Sequence, residues 1–241
     1  MDHQLKQLQD WISESRHIVF FGGAGVSTES GIPDFRSVDG LYHQQYAFPP
    51  ETILSHSFFE RNPEEFYRFY RSKMLFPQAR PNAAHWKLAE LEAAGKLTAV
   101  VTQNIDGLHQ AAGSKTVYEL HGSVHRNHCM KCRRFYGLDF LLETGGVPRC
   151  PAFGGVVKPD VVLYEECLDE TTMEGAVEAI AGADMLIIGG TSLAVYPAAG
   201  LIRYYRGNRL ALINRSATPY DREAGLVINA SLGEVLGAIR V

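Results

Sequence analysis

The sequence predicts an α/β fold, in which a Rossmann-like parallel sheet with helices on both faces carries a smaller second domain. Short apolar runs alternate with helical stretches along most of the 241 residues, which is the pattern of a parallel sheet covered by helices. Two segments, 37–78 and 123–155, break this alternation and indicate insertions. With 46% hydrophobic residues, the chain can bury one sizeable core and still carry such insertions.

Six short runs rich in β-branched residues are the candidate strands. In chain order they are HIVFF (17–21), LTAVV (97–101), VVKPDVVL (156–163), MLII (185–188), RLALI (209–213) and LVI (226–228). Glycine, hydroxyl and amide residues follow directly after positions 21, 101, 188 and 213. Because ligands bind beyond the carboxyl ends of parallel strands, these loops predict one shared crevice.

The interruptions divide the chain into two predicted domains. The Rossmann-like domain comprises residues 1–36, 79–122 and 156–241. The small domain comprises a helical insertion, 37–78, and a cysteine-containing, zinc-ribbon-like insertion, 123–155. We expect the small domain to lie above the carboxyl edge of the sheet, which places the active site in the cleft between the domains.

Charge and composition narrow the classes of function. A net charge of −4 gives no basic footprint for nucleic acid or for an anionic membrane. The N-terminal stretch MDHQLKQLQDWISESRH is polar and periodic, unlike a secretory signal, and no apolar run approaches the length of a membrane span. We therefore expect a cytoplasmic monomer whose four cysteines stay reduced, which favours metal binding or burial over disulfides.

The first predicted strand runs into a glycine-rich loop, HIVFFGGAGVSTESG, that precedes a predicted helix. Backbone N–H groups and a helix N-terminus in this context can hold a diphosphate. From Gly23 the pattern is G-x-G-x-x-T, with Thr28 at the third glycine position of the dinucleotide fingerprint. The loop alone is equally compatible with a phosphate cradle and with a tight turn between strand and helix.

Five further stretches point to a family. GAGVSTESGIPDFR, TQNIDGLH, ELHG, KPDVVLYEE and GTSLAVYPAA occur in this order, with a cysteine module between the third and the fourth. The chain from about residue 17 to its C-terminus resembles the sirtuins, NAD-dependent protein-lysine deacylases. The resemblance implies that NAD is consumed as a co-substrate and that the partners are acyl-lysine proteins or peptides. In that family the acyl oxygen attacks the ribose carbon that carries nicotinamide.

The resemblance also implies roles for single residues. The catalytic residues are His121, as general base on a ribose hydroxyl, and Asn104, which positions the ribose; a histidine titrates near neutrality and suits such a role. Asp106 matches the position that holds the nicotinamide carboxamide. The implied NAD-binding residues are Gly23, Ala24, Thr28, Asp34, Phe35, Arg36, Gln103, Asn104, Ile105, Asp106, Thr191, Ser192, Asn214 and Leu232.

The resemblance also implies where the substrate peptide binds. An extended peptide is expected to add as a strand to the edge that includes Gly155, Val156 and Val161. Here the chain has Tyr164-Glu165-Glu166 where the family pattern is Phe-Gly-Glu. Sirtuins that prefer acidic acyl groups carry a Tyr-x-x-Arg pair, whose arginine pairs with the acyl carboxylate.

That arginine has no counterpart at the expected spacing. The positions three residues after Tyr67 and Tyr70 are Tyr70 and Lys73, so we predict removal of uncharged acyl groups rather than succinyl. A shifted alignment that uses Arg68 or Arg71 stays open.

The cysteine module reads C-x2-C-x17-C-x2-F, with Cys129, Cys132 and Cys150 matching three ligands of the family's structural zinc and Phe153 at the fourth position. Three alternatives follow. Zinc binds with His125, His128 or water as a substitute; the module folds without metal around an apolar Phe153; or a weakened site remains. Because structural zinc sites have four ligands, we expect partial or absent occupancy.

Other functions compete with deacylation. Transfer of ADP-ribose from NAD to protein is the nearest, since some sirtuin relatives show it. A nicotinamide-dependent dehydrogenase requires the third glycine and an acidic ribose ligand, both of which are missing from this sequence. A non-catalytic zinc-ribbon interaction module leaves the predicted crevice unexplained.

Overall fold

The computed structural model describes residues 2–34 and 48–241. A six-stranded parallel sheet forms its centre, with the strand order β3-β2-β1-β7-β8-β9. Its strands are β1 (Ile18–Gly22), β2 (Leu97–Thr102), β3 (Val117–Glu119), β7 (Met185–Gly189), β8 (Leu210–Ile213) and β9 (Leu226–Ile228). This order is that of the Rossmann fold, and it confirms the predicted fold class.

The two faces of the sheet bury alternate side chains of each strand. In β1, Ile18 and Phe20 face one apolar core, whereas Val19 and Phe21 face the other. Such alternation follows from the two-residue period of a strand. Because helices cover both faces, β1 is buried along its whole length.

Helices cover both faces of the parallel sheet. The first core packs against α1 (Asp2–Glu14), α5 (Ala83–Ala93) and α9 (Leu232–Gly237), and the second against α8 (Glu170–Ala181) and the 3-10 helix Ala198–Tyr204. A four-residue helix, α6 (Leu108–Ala111), follows β2. In the described part of the chain, no helix is long and apolar enough to cross a membrane.

One predicted strand lies in a different sheet. The run 156–163 was expected among the parallel strands, but β6 (Val157–Val161) pairs antiparallel with β4 (Gly122–Cys129), which also pairs with β5 (Phe135–Tyr136). Val157, Pro159 and Val161 are buried while Lys158 and Asp160 are not. That alternation is typical of an antiparallel strand with one covered face. The sixth parallel strand is β3, which was not predicted because its three residues, VYE, are only partly buried and form no continuous apolar run.

The two predicted insertions share one apolar core. The helices α2 (Pro50–Ile53), α3 (His56–Arg61), α4 (Pro63–Lys73) and α7 (Leu138–Glu143) pack on the three-stranded sheet. Phe66 and Tyr67 of α4 contribute to this core together with Val124 of β4 and Leu141 of α7. The strand β6, which follows the predicted border at residue 155, forms one edge of this three-stranded sheet.

Candidate functional site

A cavity of about 1050 Å³ lies at the carboxyl edge of the parallel sheet. Its wall is formed by the loops that follow β1, β2, β7 and β8, and by residues of the small domain. Strand order reverses between β1 and β7, because the chain passes from β1 to β2 on one side and reaches β7 on the other. Such a reversal opens a crevice for a ligand, as the polar loops predict.

The glycine loop after β1 forms two 3-10 helices, Ala24–Val26 and Thr28–Ser30, instead of the predicted regular helix. Gly25 donates its backbone N–H to Gly190 at 2.8 Å. A Cβ at Gly25 would approach the Cα of Gly190 to 2.7 Å, so only glycine fits at this position.

Two backbone donors of this loop are free. Within the described ranges, the N–H groups of Ala24 and Thr28 have no hydrogen-bond partner, and both residues line the cavity. Unpaired backbone N–H groups at the start of helical turns bind phosphate oxygens. The structure therefore offers a diphosphate two donors at the residues that the resemblance indicated.

Ser27, Asn104 and Asp106 form a network on the floor of the cavity. The Ser27 hydroxyl donates to Asp106 Oδ2 at 2.6 Å and accepts from Asn104 Nδ2 at 3.1 Å. The Leu108 N–H donates to Asp106 Oδ1 at 2.9 Å. Burial raises the pKa of Asp106, and the Ser27 hydrogen bond partly offsets this. Sequence reasoning missed Ser27; its hydroxyl inside the glycine loop was the available signal.

The ring of His121 lies against the loop after β2. Its Nδ1 is 3.0 Å from the backbone oxygen of Gln103. Because a carbonyl only accepts, Nδ1 carries the proton and Nε2 keeps its lone pair. Burial lowers the pKa of His121, and the contact with Gln103 raises it by less. His121 is therefore a neutral base at physiological pH, on the wall of the cavity.

The loops after β2, β7 and β8 are joined by side-chain amides. Asn214 accepts from the Thr191 N–H at 3.1 Å and donates Nδ2 to the Thr191 carbonyl at 2.7 Å. Gln103 Nε2 donates to the Thr191 hydroxyl at 3.0 Å. Thr191 and Asn214 are buried, so these contacts fix the position of Thr191 on the cavity wall.

The structure brings most of the predicted site residues to one cavity. Those on its wall are Gly23, Ala24, Thr28, Asp34, Gln103, Asn104, Ile105, Asp106, His121, Val161, Thr191, Ser192, Asn214 and Leu232. Phe35 and Arg36 lie outside the described residues.

Two predicted peptide-binding residues lie elsewhere. The carbonyl of Gly155 accepts from the Cys150 N–H at 2.8 Å, and that of Val156 accepts from the Met130 N–H at 2.9 Å. Both residues thus belong to the cysteine module, and neither is on the cavity wall. The strand β6 leads from this module to Val161 on the cavity wall, and peptide binding at Gly155, Val156 and Val161 stays a prediction.

The three cysteines of the module come together. The sulfur atoms of Cys129, Cys132 and Cys150 lie within 4.8 Å of one another. The Tyr136 hydroxyl is 3.0 Å from the sulfur of Cys150. Three converging thiols are a suitable donor set for zinc. Among the described residues, no fourth cysteine, histidine or carboxylate joins this group.

The substitutes considered for a fourth ligand face other groups. His125 Nε2 is 3.0 Å from the backbone oxygen of Asp106, and this residue lines the cavity at the carboxyl edge of the parallel sheet. The His128 ring packs on Phe135, with 5.7 Å between ring centroids. Phe153 is 62% exposed, so the proposal that the module folds around an apolar Phe153 is wrong. In the described part of the chain, the three thiols thus converge without a fourth side-chain ligand, and zinc binding with water or at a weakened site stays a prediction.

The chain is similar to known proteins over nearly its whole length. A family model described as Sir2 family matches residues 23–197. A protein of Clostridium perfringens (strain 13 / Type A) named NAD-dependent protein deacetylase is 61% identical over 242 residues, which is 99% of each chain. A solved structure described as "Structural Basis for the Mechanism and Regulation of Sir2 Enzymes" is 40% identical, has a TM-score of 0.89, and is matched over 98% of this chain and 96% of its own. Another, "Sir2-p53 peptide-NAD+", is 41% identical with a TM-score of 0.84, over 96% and 95%.

Proposed function

This chain belongs to the Sir2 family, and we propose that it is an NAD-dependent protein deacetylase. It transfers the acetyl group of a modified lysine to the ADP-ribose part of NAD and releases nicotinamide. The observation that supports this most is the position of His121, a partly buried neutral base on the wall of a cavity whose glycine loop offers free backbone donors.

The glycine loop and the amide cluster hold NAD from two sides. The free N–H groups of Ala24 and Thr28 bind the diphosphate. Thr191 and Asn214 bind the adenosine half, at the end where they join β7 to β8. Ile105 and the network around Asp106 then surround the nicotinamide and its ribose.

Asn104 and His121 act on the ribose. In the part of the chain that the structure describes, Asn104 donates to Ser27 but its Oδ1 has no partner, so this oxygen is available to a ribose hydroxyl. His121 Nε2 accepts the proton of a ribose hydroxyl, since Nδ1 is held in its protonated form by Gln103. The ribose hydroxyl attacks the acyl group once it has lost this proton. Because burial lowers the pKa of His121, its Nε2 stays free to accept the proton.

The substrate peptide binds as an added strand along the edge that starts at Val161. The Val162 N–H donates to the His121 carbonyl at 3.0 Å, which ties this edge to the catalytic histidine. Beyond it, the backbone N–H and C=O of Glu165 have no partner among the described residues. An extended peptide can pair with such groups. The acyl-lysine then enters the cavity beside His121.

The acyl group is uncharged in our proposal. Tyr67 is fully buried, and its hydroxyl donates to the Val157 carbonyl at 2.6 Å. Tyr70 is also fully buried, and Arg71 Nε donates to the Leu141 carbonyl at 2.8 Å. None of these three side chains is on the cavity wall. The small-domain helix thus presents no Tyr-Arg pair to an acyl carboxylate in the described part of the chain.

Two cationic side chains, one at the end of α4 and one in the segment after it, lie on the cavity wall. Arg68 pairs with Glu65 at the surface, whereas Lys73 and Arg80 line the cavity. Arg80 donates to two backbone carbonyls of its own loop. We therefore compare the rates of deacetylation and desuccinylation for the wild-type protein and for Arg80→Ala. Faster desuccinylation than deacetylation by the wild-type protein, lost in Arg80→Ala, would contradict our proposal that the acyl group is uncharged.

Incubation with NAD and an acetyl-lysine peptide tests the activity. We expect equal amounts of free nicotinamide, deacetylated peptide and acetyl-ADP-ribose. His121→Ala should abolish all three products without changing the circular dichroism spectrum, while His17→Ala, at an exposed position, should keep full activity. Label from NAD attached to protein, without acetyl-ADP-ribose, would instead indicate ADP-ribosyl transfer.

A further inference from the structure

Glu165 stands in the segment where this chain departs from the family pattern. Its φ is +77°, in the left-handed region that side-chain-bearing residues rarely adopt. The family pattern has glycine at this position, and glycine adopts such a φ without strain. The chain thus keeps a carboxylate at a backbone position suited to glycine, on the wall of the cavity.

The carboxylate of Glu165 is held in place by Ser57 of α3. The Ser57 N–H donates to Oε2 at 2.9 Å, and the Ser57 hydroxyl donates to Oε1 at 3.1 Å. A carboxylate has about four acceptor positions, so each oxygen retains one. The side chain is therefore oriented and still able to accept from a ligand.

The neighbouring Glu166 is neutralised, but Glu165 is not. Glu166 pairs with His56 at 2.8 Å and with Lys158 at 3.2 Å. Glu165 makes no ion pair with any lysine, arginine or histidine of the described ranges, and its side chain is exposed. Arg61 donates to the backbone oxygen and the hydroxyl of Ser57, so its guanidinium lies near the Glu165 carboxylate without forming an ion pair with it. Glu165 thus keeps free acceptor positions beside the edge where we propose that the peptide binds.

We propose that Glu165 is a specificity residue that selects substrates with lysine or arginine within two residues of the acyl-lysine. This rests on the proposed deacetylase function and on peptide pairing at this edge. The free backbone groups of Glu165 bring an added strand alongside its own carboxylate. In an extended strand, residues rise about 3.3 Å each, so a basic side chain one or two positions from the acyl-lysine can reach the carboxylate.

The test compares matched acetyl-lysine peptides that carry either arginine or glutamine at each of the two positions before and after the acetyl-lysine. For the wild-type protein we expect the best arginine peptide to have about threefold to fivefold higher kcat/KM at low salt, the range of a partly exposed ion pair. The preference should shrink when the ionic strength is raised to about 0.5 M, because salt screens exposed charges.

Variants assign the effect to Glu165. Glu165→Gln keeps the size of the side chain and one acceptor oxygen for the Ser57 N–H, while its amide NH2 can donate to the Ser57 hydroxyl; it should bring the ratio to about 1. Glu165→Asp keeps the charge and should retain part of the preference. Glu170→Gln, at an exposed position of α8 away from the cavity, should leave the ratio unchanged.

Two outcomes would overturn the inference. One is equal kcat/KM for the arginine and glutamine peptides of the wild-type protein, and this measurement does not depend on any variant folding. The other is an arginine preference that survives Glu165→Gln. In both cases deacetylation of the peptides would continue, so the proposed function would stand. Absence of deacetylation from every peptide would count against the function itself.

Discussion

The imidazole Nδ1 of His121 lies 3.0 Å from the backbone oxygen of Gln103, the first residue after β2. This contact sets the tautomer, because the carbonyl can only accept a hydrogen bond. A backbone carbonyl also keeps its position when side chains change, so the orientation of the ring depends on the sheet itself. Among the described residues, the proposed base is thus held by the backbone at the end of a strand rather than by a second ionisable side chain.

The first prediction concerns the pH dependence of kcat/KM. Burial lowers the pKa of His121 below 6.5 in the folded protein, so the neutral base persists as pH falls past 6.5. Activity should therefore be constant through neutrality and decline only at lower pH, when His121 becomes protonated. Initial rates between about pH 5 and pH 8 give the midpoint of the acid limb. A midpoint at or above 6.5 would contradict the assignment.

The second prediction concerns the amide that joins the loops after β7 and β8. Asn214→Ala removes both hydrogen bonds to Thr191 and leaves buried backbone groups without partners. Such a loss costs about 1–3 kcal/mol for each group. We expect the KM for NAD to rise about tenfold or more, with a smaller change in kcat. Asn208→Ala, at an exposed position, is the control. An unchanged KM for NAD would remove Asn214 from the binding site.

The third prediction concerns the buried hydroxyl of Tyr67. Tyr67→Phe leaves the Val157 carbonyl without its donor, so the free energy of unfolding should fall by about 1–3 kcal/mol. Urea denaturation measures this, with the exposed Tyr204→Phe as control. The ratio of deacetylation to desuccinylation should not change. A shift in that ratio would mean that Tyr67 contacts the acyl group.

The sequence predicts the location of the cavity residues well because the chemistry is carried by short segments at strand ends. Asn104, Asp106 and Thr191 follow directly after parallel strands, whose carboxyl ends meet at one edge whatever the details of packing. The order of the motifs along the chain carries the resemblance to the family, and that resemblance implies the roles of these residues.

Features that depend on distant partners escaped sequence reasoning. The apolar run at β6 is compatible with either sheet, and only its pairing with β4 decides the matter. Ser27 joins the site through Asp106, which is 79 positions away in the sequence. Similarly, no local sequence pattern shows that Phe153 is exposed to solvent or that the three cysteine sulfur atoms converge.

The last prediction concerns Phe153, which stands at the fourth ligand position of the cysteine motif. Cys129, Cys132 and Cys150 already converge, and Phe153 is exposed at the end of the turn that follows Cys150, so Phe153→Cys supplies a fourth thiol without opening a core cavity. Structural zinc sites are closed by four ligands. We expect the variant to bind zinc more than about 100-fold tighter than the wild-type protein, since even groups that only orient a ligand change affinity about 10- to 100-fold.

Competition with a chromogenic chelator, together with metal analysis of the purified proteins, measures this affinity. Phe153→Ser is the matched control, because it removes the ring without adding a strong ligand, and it should bind zinc like the wild-type protein. Equal affinities for wild type and Phe153→Cys would mean that the native chain closes the site with a donor outside the three cysteines. The Tyr136 hydroxyl, 3.0 Å from Cys150, is then the group to remove first, by Tyr136→Phe.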